Sequence, residues 1–341
     1  MNTSSFPPQV QTWLALTGQR TPIIQAPVGP AATPALAAAV SRAGGLGGLA
    51  LSWSDAATVK SDLTALRAAA GGCRFFGNFV LHFPCEGFDA ALEAGLPVVT
   101  FSWGIDAGRV ARAHSAGAKV GIQVGSVAGA RRAREAGADF LIAQSVEAGG
   151  HVQSTTRRSI LLPGVLAEAG DVPVIAAGGI ATGATIAQAI AAGAAGAMLG
   201  TRFVATVEAG AHDAYKSALV AASGGDTVFT NCFDLGWPYA MHRVLRNDTL
   251  TDWEAAGCPQ SPNRPGEGDI VFRQGDQAFP RYCDTSPMPG AAGELQSACL
   301  YAGMGVGDIR SVEPAADLVA RLDAELRAAL AVDLVTKGGP K

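Results

Sequence analysis

The sequence predicts an α/β fold: a (β/α)8 TIM barrel with a mostly helical insertion after the eighth strand. Three observations predict it. Short apolar runs recur, each followed by an alanine-rich stretch of helical period. Those stretches end in one kind of punctuation, at Arg42-Ala43-Gly44, Glu93-Ala94-Gly95, Ser115-Ala116-Gly117, Glu135-Ala136-Gly137, Glu168-Ala169-Gly170 and Ala191-Ala192-Gly193, where glycine accepts the left-handed conformation that stops a helix. The apolar runs number about eight, which closes such a barrel. A chain of 341 residues accommodates one barrel of about 250 residues plus an insertion, without a second independent core.

The strands are predicted at residues 23–25, 47–50, 76–80, 98–101, 120–123, 140–143, 174–177 and 197–199. The first ends in Gln25-Ala26-Pro27-Val28-Gly29-Pro30, which has few side chains able to protonate or attack anything, so its use is main-chain contact with a flat ring. The second begins inside the run Gly44-Gly45-Leu46-Gly47-Gly48. That run succeeds a helix and enters a strand, the reverse of a dinucleotide fingerprint. The third carries Asn78 and leads into Leu81-His82-Phe83-Pro84, which places His82 on the rim as a substrate contact. The fifth carries Gln123, and the sixth runs into Gln144-Ser145-Val146-Glu147-Ala148-Gly149-Gly150-His151.

That last segment is the most informative of the chain. The helix-ending glycines 95, 117, 137, 170 and 193 are separated by 22, 20, 33 and 23 residues. The long interval contains His151, so the extra residues fall in a strand-to-helix loop, on the barrel face that carries active sites. An imidazole titrates near neutrality and can take a proton from carbon or donate to an anionic oxygen; His151 is therefore the candidate catalytic residue. Asn78, Gln123 and Gln144, amides at or just past three separate strand ends, can donate to and accept from a polar heterocycle such as an isoalloxazine.

Strands seven and eight end in Gly178-Gly179-Ile180 and in Met198-Leu199-Gly200-Thr201. Glycines there let the main chain approach a phosphate, at the usual phosphate position of a barrel. Arg202 is placed either to neutralise that charge or to form a structural ion pair. Residues 172–201 contain no charged residue, but their internal glycines divide them into strand, turn, helix and strand rather than a membrane span. The expected organisation is a barrel over 1–204, an insertion over 205–298 that builds the substrate side, and a segment over 299–341 whose helical period packs it back on the barrel. Tyr301, beside Gly303-Met304-Gly305-Val306-Gly307, is placed to cover a pocket. His114 falls in a predicted helix and His212 and His242 in the insertion, where structural roles are the simpler reading.

A net charge of −4 gives no basic footprint for nucleic acid or an anionic membrane. The start lacks a basic and apolar leader, so a cytoplasmic location is expected. Six cysteines make no Cys-x-x-Cys pair and no Cys/His ligand spacing, which predicts reduced, mostly buried thiols and no metal.

Taken together these residues resemble the nitronate monooxygenases, formerly 2-nitropropane dioxygenases, and their relatives the flavin-dependent enoyl-acyl-carrier-protein reductases. The likeness runs from Pro22-Ile23-Ile24-Gln25-Ala26-Pro27 through Ala43-Gly44-Gly45-Leu46-Gly47, Asn78, Glu147-Ala148-Gly149-Gly150-His151, Ala176-Ala177-Gly178-Gly179-Ile180 and Leu199-Gly200-Thr201-Arg202-Phe203 to Tyr301-Ala302-Gly303. It implies non-covalent FMN, with Asn78, Gln144, Gly149, Gly179 and residues 198–201 as flavin contacts and His151 as the catalytic histidine. It also implies O2 and a small nitronate, or a nitroalkane, as substrates, with a carbonyl compound and nitrite as products and no nicotinamide. Two positions depart from the family pattern: Ser145 stands where many relatives have glycine, and Met304-Gly305 where many have Gln-Ser. The alternatives are an NAD(P)H-dependent FMN reductase acting on a quinone or enoyl thioester, a flavin-binding protein without turnover, and a tailoring oxygenase.

Overall fold

The computed structural model describes residues 6–337, with side chains to 332; the first five residues of the expected barrel and the last four of the C-terminal segment lie outside the described residues. Eight parallel strands appear where the apolar runs predict them: β1 Ile23–Gln25, β2 Gly47–Ala50, β3 Phe75–Val80, β4 Val98–Ser102, β5 Lys119–Val124, β6 Phe140–Gln144, β7 Val174–Ala177 and β8 Gly196–Leu199. They pair in cyclic order from β2 to β8, and β8 pairs with β1 in register from Ile23 opposite Ala197 to Gln25 opposite Leu199. Leu46, just ahead of β2, closes the ring. Its N–H donates to the Ile23 carbonyl at 2.9 Å, and the Gln25 N–H donates to the Leu46 carbonyl at 3.0 Å. Closure leaves no barrel edge open.

Helices alternate with these strands and end where the glycine punctuation lies; all six punctuating glycines have positive φ. At β2 the requirement is also steric, because a Cβ on Gly47 would sit 2.0 Å from the Ala37 carbonyl oxygen of the helix Pro34–Ala43. The barrel interior and the strand-facing sides of the helices form one apolar core that includes Trp13, Phe76, Phe79, Phe101 and Phe140.

The helix Ala315–Lys337 contributes Leu318, Val319, Leu322 and Leu326 to that same core. It lies against the helices Gly183–Ala191 and Pro34–Ala43, where the Glu325 carboxylate accepts the Gly183 N–H at 2.9 Å. Arg202 is buried and ion-paired to Glu313, and it also donates to the Ala205 and Ser311 carbonyls. Of its two sequence readings the structural ion pair holds, and it ties the chain after β8 to the segment entering the C-terminal helix.

The insertion is richer in strand than the sequence indicates. Besides the helices Asp213–Ala221 and Asp248–Ala255 it contains the strands Thr227–Thr230, His242–Leu245, Ile270–Gln274, Gln277–Pro280 and Ala291–Gly293. These strands are three to five residues long and pair mainly with one another, with only His242–Leu245 reaching a partner outside the insertion, so each alone carries too little alternation to be read locally. Among the described residues no helix is long and apolar enough to cross a membrane, and no His/Cys/Asp/Glu group has the arrangement to hold a metal ion. All six cysteines are free; Cys85, Cys232 and Cys299 are buried, Cys258 is exposed, and the other two lie between.

Candidate active site

The long loop after β6 folds back as a short strand, Gly150–His151, and pairs antiparallel with the insertion strand His242–Leu245: His151 lies opposite His242, and Gly150 opposite Arg243. Local sequence and a distant segment thus fix the histidine jointly. Gln144, the last residue of β6, braces it from below. Its Nε2 donates to the His151 carbonyl at 3.3 Å, and its Oε1 accepts the Gln153 N–H at 3.1 Å. Arg243 donates through Nε to the Val146 carbonyl at 3.0 Å. Arg158 donates its N–H to the Glu147 carboxylate at 3.0 Å and its Nη1 to the Gly178 carbonyl at 2.6 Å, linking the loop to the end of β7.

The imidazole of His151 sits among rings. Centroids of Trp237, His242, Tyr301 and Trp103 lie 4.6, 5.4, 5.5 and 6.5 Å from it. Its Nε2 is buried and has no hydrogen-bond partner. Burial, assisted by the neighbouring His242, pushes its pKa down to about 3. Burial likewise holds His242 down at about 4; there Nδ1 meets the Ala240 carbonyl at 3.0 Å and Nε2 accepts the Phe233 N–H at 3.3 Å, which sets the neutral tautomer. At neutral pH both rings are therefore uncharged. The Tyr301 hydroxyl donates to the Asp284 carbonyl at 2.8 Å, and burial raises its pKa.

The glycine-bearing turns converge beside this histidine. Gly178 and Gly179 have φ of +106° and +65°, a region nearly closed to other residues. A Cβ on Gly149 would lie 2.5 Å from the Gly303 nitrogen, so the two segments touch main chain to main chain. The Gly303 N–H donates to Thr201 Oγ1 at 2.9 Å, and the Met304 N–H to the Glu147 carbonyl at 2.9 Å. The ends of β6, β7 and β8 and the chain after Tyr301 are thereby stitched into one rim. Ser145 is fully buried and donates to the Ala177 carbonyl at 3.1 Å.

The predicted residues divide by depth. Ala26, Pro27, Gly149, Gly179, Gly200 and Thr201 are partly open at the C-terminal ends of the strands. Met198 and Leu199 are buried within β8. Gln25 is sealed, with Oε1 accepting the Gly48 N–H at 2.9 Å and Nε2 donating to the Ala26 carbonyl, so its side chain fastens the β1–β2 seam. Asn78 accepts from Thr100 Oγ1 at 2.9 Å, and Gln123 donates to Gln153 Oε1 at 2.8 Å. A carboxamide has two N–H donors and two acceptor lone pairs, so Asn78, Gln123 and Gln144 each retain capacity for a ligand. His82 is exposed and stacks on Trp237 at 5.1 Å, one ring removed from His151. Trp103, Trp237, His242 and Arg243 complete the site; the sequence suggests only a structural role for His242 and does not single out the other three. Trp103 directly follows β4 and shares the rim logic that singled out His82, whereas Trp237, His242 and Arg243 arrive from the insertion with no local signal.

The nitronate monooxygenase family model matches residues 86–325. A nitronate monooxygenase of Paraburkholderia phytofirmans is 31% identical over 364 residues, covering 92% of this chain and 94% of that protein. FabK of Thermotoga maritima superposes with a TM-score of 0.80 at 29% identity, covering 95% of this chain and 97% of that one. A nitroalkane oxidase of Streptomyces ansochromogenes gives a TM-score of 0.76 at 31% identity, covering 94% and 99%.

Proposed function

Because the chain belongs to the nitronate monooxygenase family and is an oxidoreductase, we propose that it is an FMN-dependent enzyme that oxidises nitronates, or nitroalkanes, with O2 to a carbonyl compound and nitrite. The observation that carries this reading is the buried, unpartnered Nε2 of His151, set among aromatic rings next to a rim of glycine-bearing strand ends. A buried polar atom without a protein partner is costly unless a ligand completes it.

The residues present fit a flavin mononucleotide. Gly178-Gly179 and Gly200-Thr201 would hold its phosphate by main chain, while Asn78, Gln123, Gln144 and the Ala26-Pro27 segment would border its ring. When bound, the flavin supplies the electron transfer between the organic substrate and oxygen. The protein supplies position and proton handling. A neutral imidazole with a free Nε2 can, in the tautomer protonated there, donate to a nitronate oxygen, a role that its lowered pKa favours over accepting the α-proton of a nitroalkane. The surrounding rings exclude water, which strengthens either interaction. The domain roles follow the same logic: residues 1–204 hold the cofactor, residues 205–298 cover it and face the substrate, and the segment from 299 onward locks the rim.

Purified protein loaded with FMN and given a small alkyl nitronate under air, without nicotinamide, is expected to consume oxygen and release nitrite. Absence of nitrite, together with rapid anaerobic bleaching of the flavin by NADH or NADPH, would overturn the assignment in favour of a reductase.

A further inference from the structure

The rings around His151 are drawn from four parts of the chain: the loop after β3, the loop after β4, the insertion, and the segment after it, which supplies Tyr301. Trp103 and Trp237 lie 4.5 Å apart at an interplanar angle of 55°. Phe83 abuts Trp237 edge to face at 5.0 Å, and Trp237 in turn lies 4.6 Å from the imidazole. Trp237 is 6% exposed, so this indole separates the catalytic ring from solvent. Trp103 adopts a left-handed φ of +58°, a conformation that bulky side chains avoid and that persists where the surroundings over-determine it, characteristically at ligand clamps. Tyr239, two residues past Trp237, is left-handed too, at +65°.

Every ring in contact with His151 belongs to Trp, Tyr or a His held neutral, so the enclosure offers π-faces and edges rather than a counter-ion. Such walls favour a flat conjugated group, which gains offset-stacked and edge-to-face contacts that an alkyl chain of similar size does not. Building on the nitronate oxidation proposed above and resting on it, we propose that Trp103 and Trp237, packed against each other, form a substrate-selecting aromatic wall. The preferred substrate is then a nitronate whose reacting carbon bears an aromatic or extended conjugated substituent.

The test uses the full-length, FMN-loaded protein and compares kcat/KM for nitrite release from the nitronates of phenylnitromethane, 1-nitrohexane and nitroethane. Wild type is expected to favour the phenyl over the hexyl nitronate by about tenfold or more, the size of effect that one or two ring pairs supply. Trp237→Leu and Trp103→Leu should each shrink that ratio, chiefly through loss on the phenyl compound, and Trp237→Phe should keep most of it. The phenyl-to-hexyl ratio in wild type needs no variant to fold, and retained flavin absorbance certifies each variant. Equal or better use of the hexyl nitronate, or a ratio unmoved by both leucine variants, would overturn the selecting wall while leaving nitronate oxidation in place. No nitrite from any of the three would remove the underlying reading and the selecting wall with it.

Discussion

His151 and His242 face each other across a strand pair, and their shared burial has a consequence for stability. Both have folded-state pKa values below the ordinary 6.5, at about 3 and about 4. Between those values and 6.5 the unfolded chain binds more protons than the folded one, so stability rises with pH across that window. The contribution is complete above about pH 6.5 and is lost as the pH falls toward 4. Urea midpoints are therefore expected to drop from pH 7.5 to pH 5, and His151→Gln should flatten the dependence by removing one of the two groups. A midpoint independent of pH in wild type would show that these imidazoles are not desolvated as described.

At the scale of elements, the site depends on segments that touch without side chains between them. Gly149→Ala would drive a methyl to within 2.5 Å of the Gly303 nitrogen and 2.7 Å of the Ala302 carbonyl carbon. Backbone cannot yield as a flexible side chain does, so the substitution should cost about 1–3 kcal/mol and displace the chain that carries Thr201's partner, Gly303. Reduced FMN retention at matched protein concentration, with a lowered thermal midpoint, is the expected result. This contact also shows where sequence reading succeeds and where it stops. The barrel strands and the Gly-Gly-His loop were legible because each is a local pattern: an apolar run, a helix-ending glycine, an over-long interval. The strand His242–Leu245 was not, because it is four residues long with no alternation of its own, and one of its two partners, Gly150–His151, lies some ninety positions away. Trp103 and Trp237 likewise become neighbours only through the fold. At Gln25 the sequence points to the main chain as the ligand contact, and the closed barrel uses the side chain internally, to fasten the β1–β2 seam.

Taken whole, the molecule puts structural tasks and chemistry in different places. The helix Ala315–Lys337 and the Arg202–Glu313 pair brace the barrel wall, whereas the ends of β6, β7 and β8, the His151 loop and the insertion assemble one rim at the C-terminal face, where barrel enzymes keep their reacting groups. On this account the rim holds the flavin mainly by main chain, and His151 acts on the substrate rather than on cofactor binding. The most direct measurement is a paired one: aerobic nitrite release and bound-flavin absorbance for wild type and His151→Ala. The account predicts that the variant stays yellow at wild-type stoichiometry while its rate falls by about 10²–10⁴, the range for removing a positioned acid–base group. An undiminished rate in the yellow variant, or a wild-type protein that takes up no flavin, would contradict it.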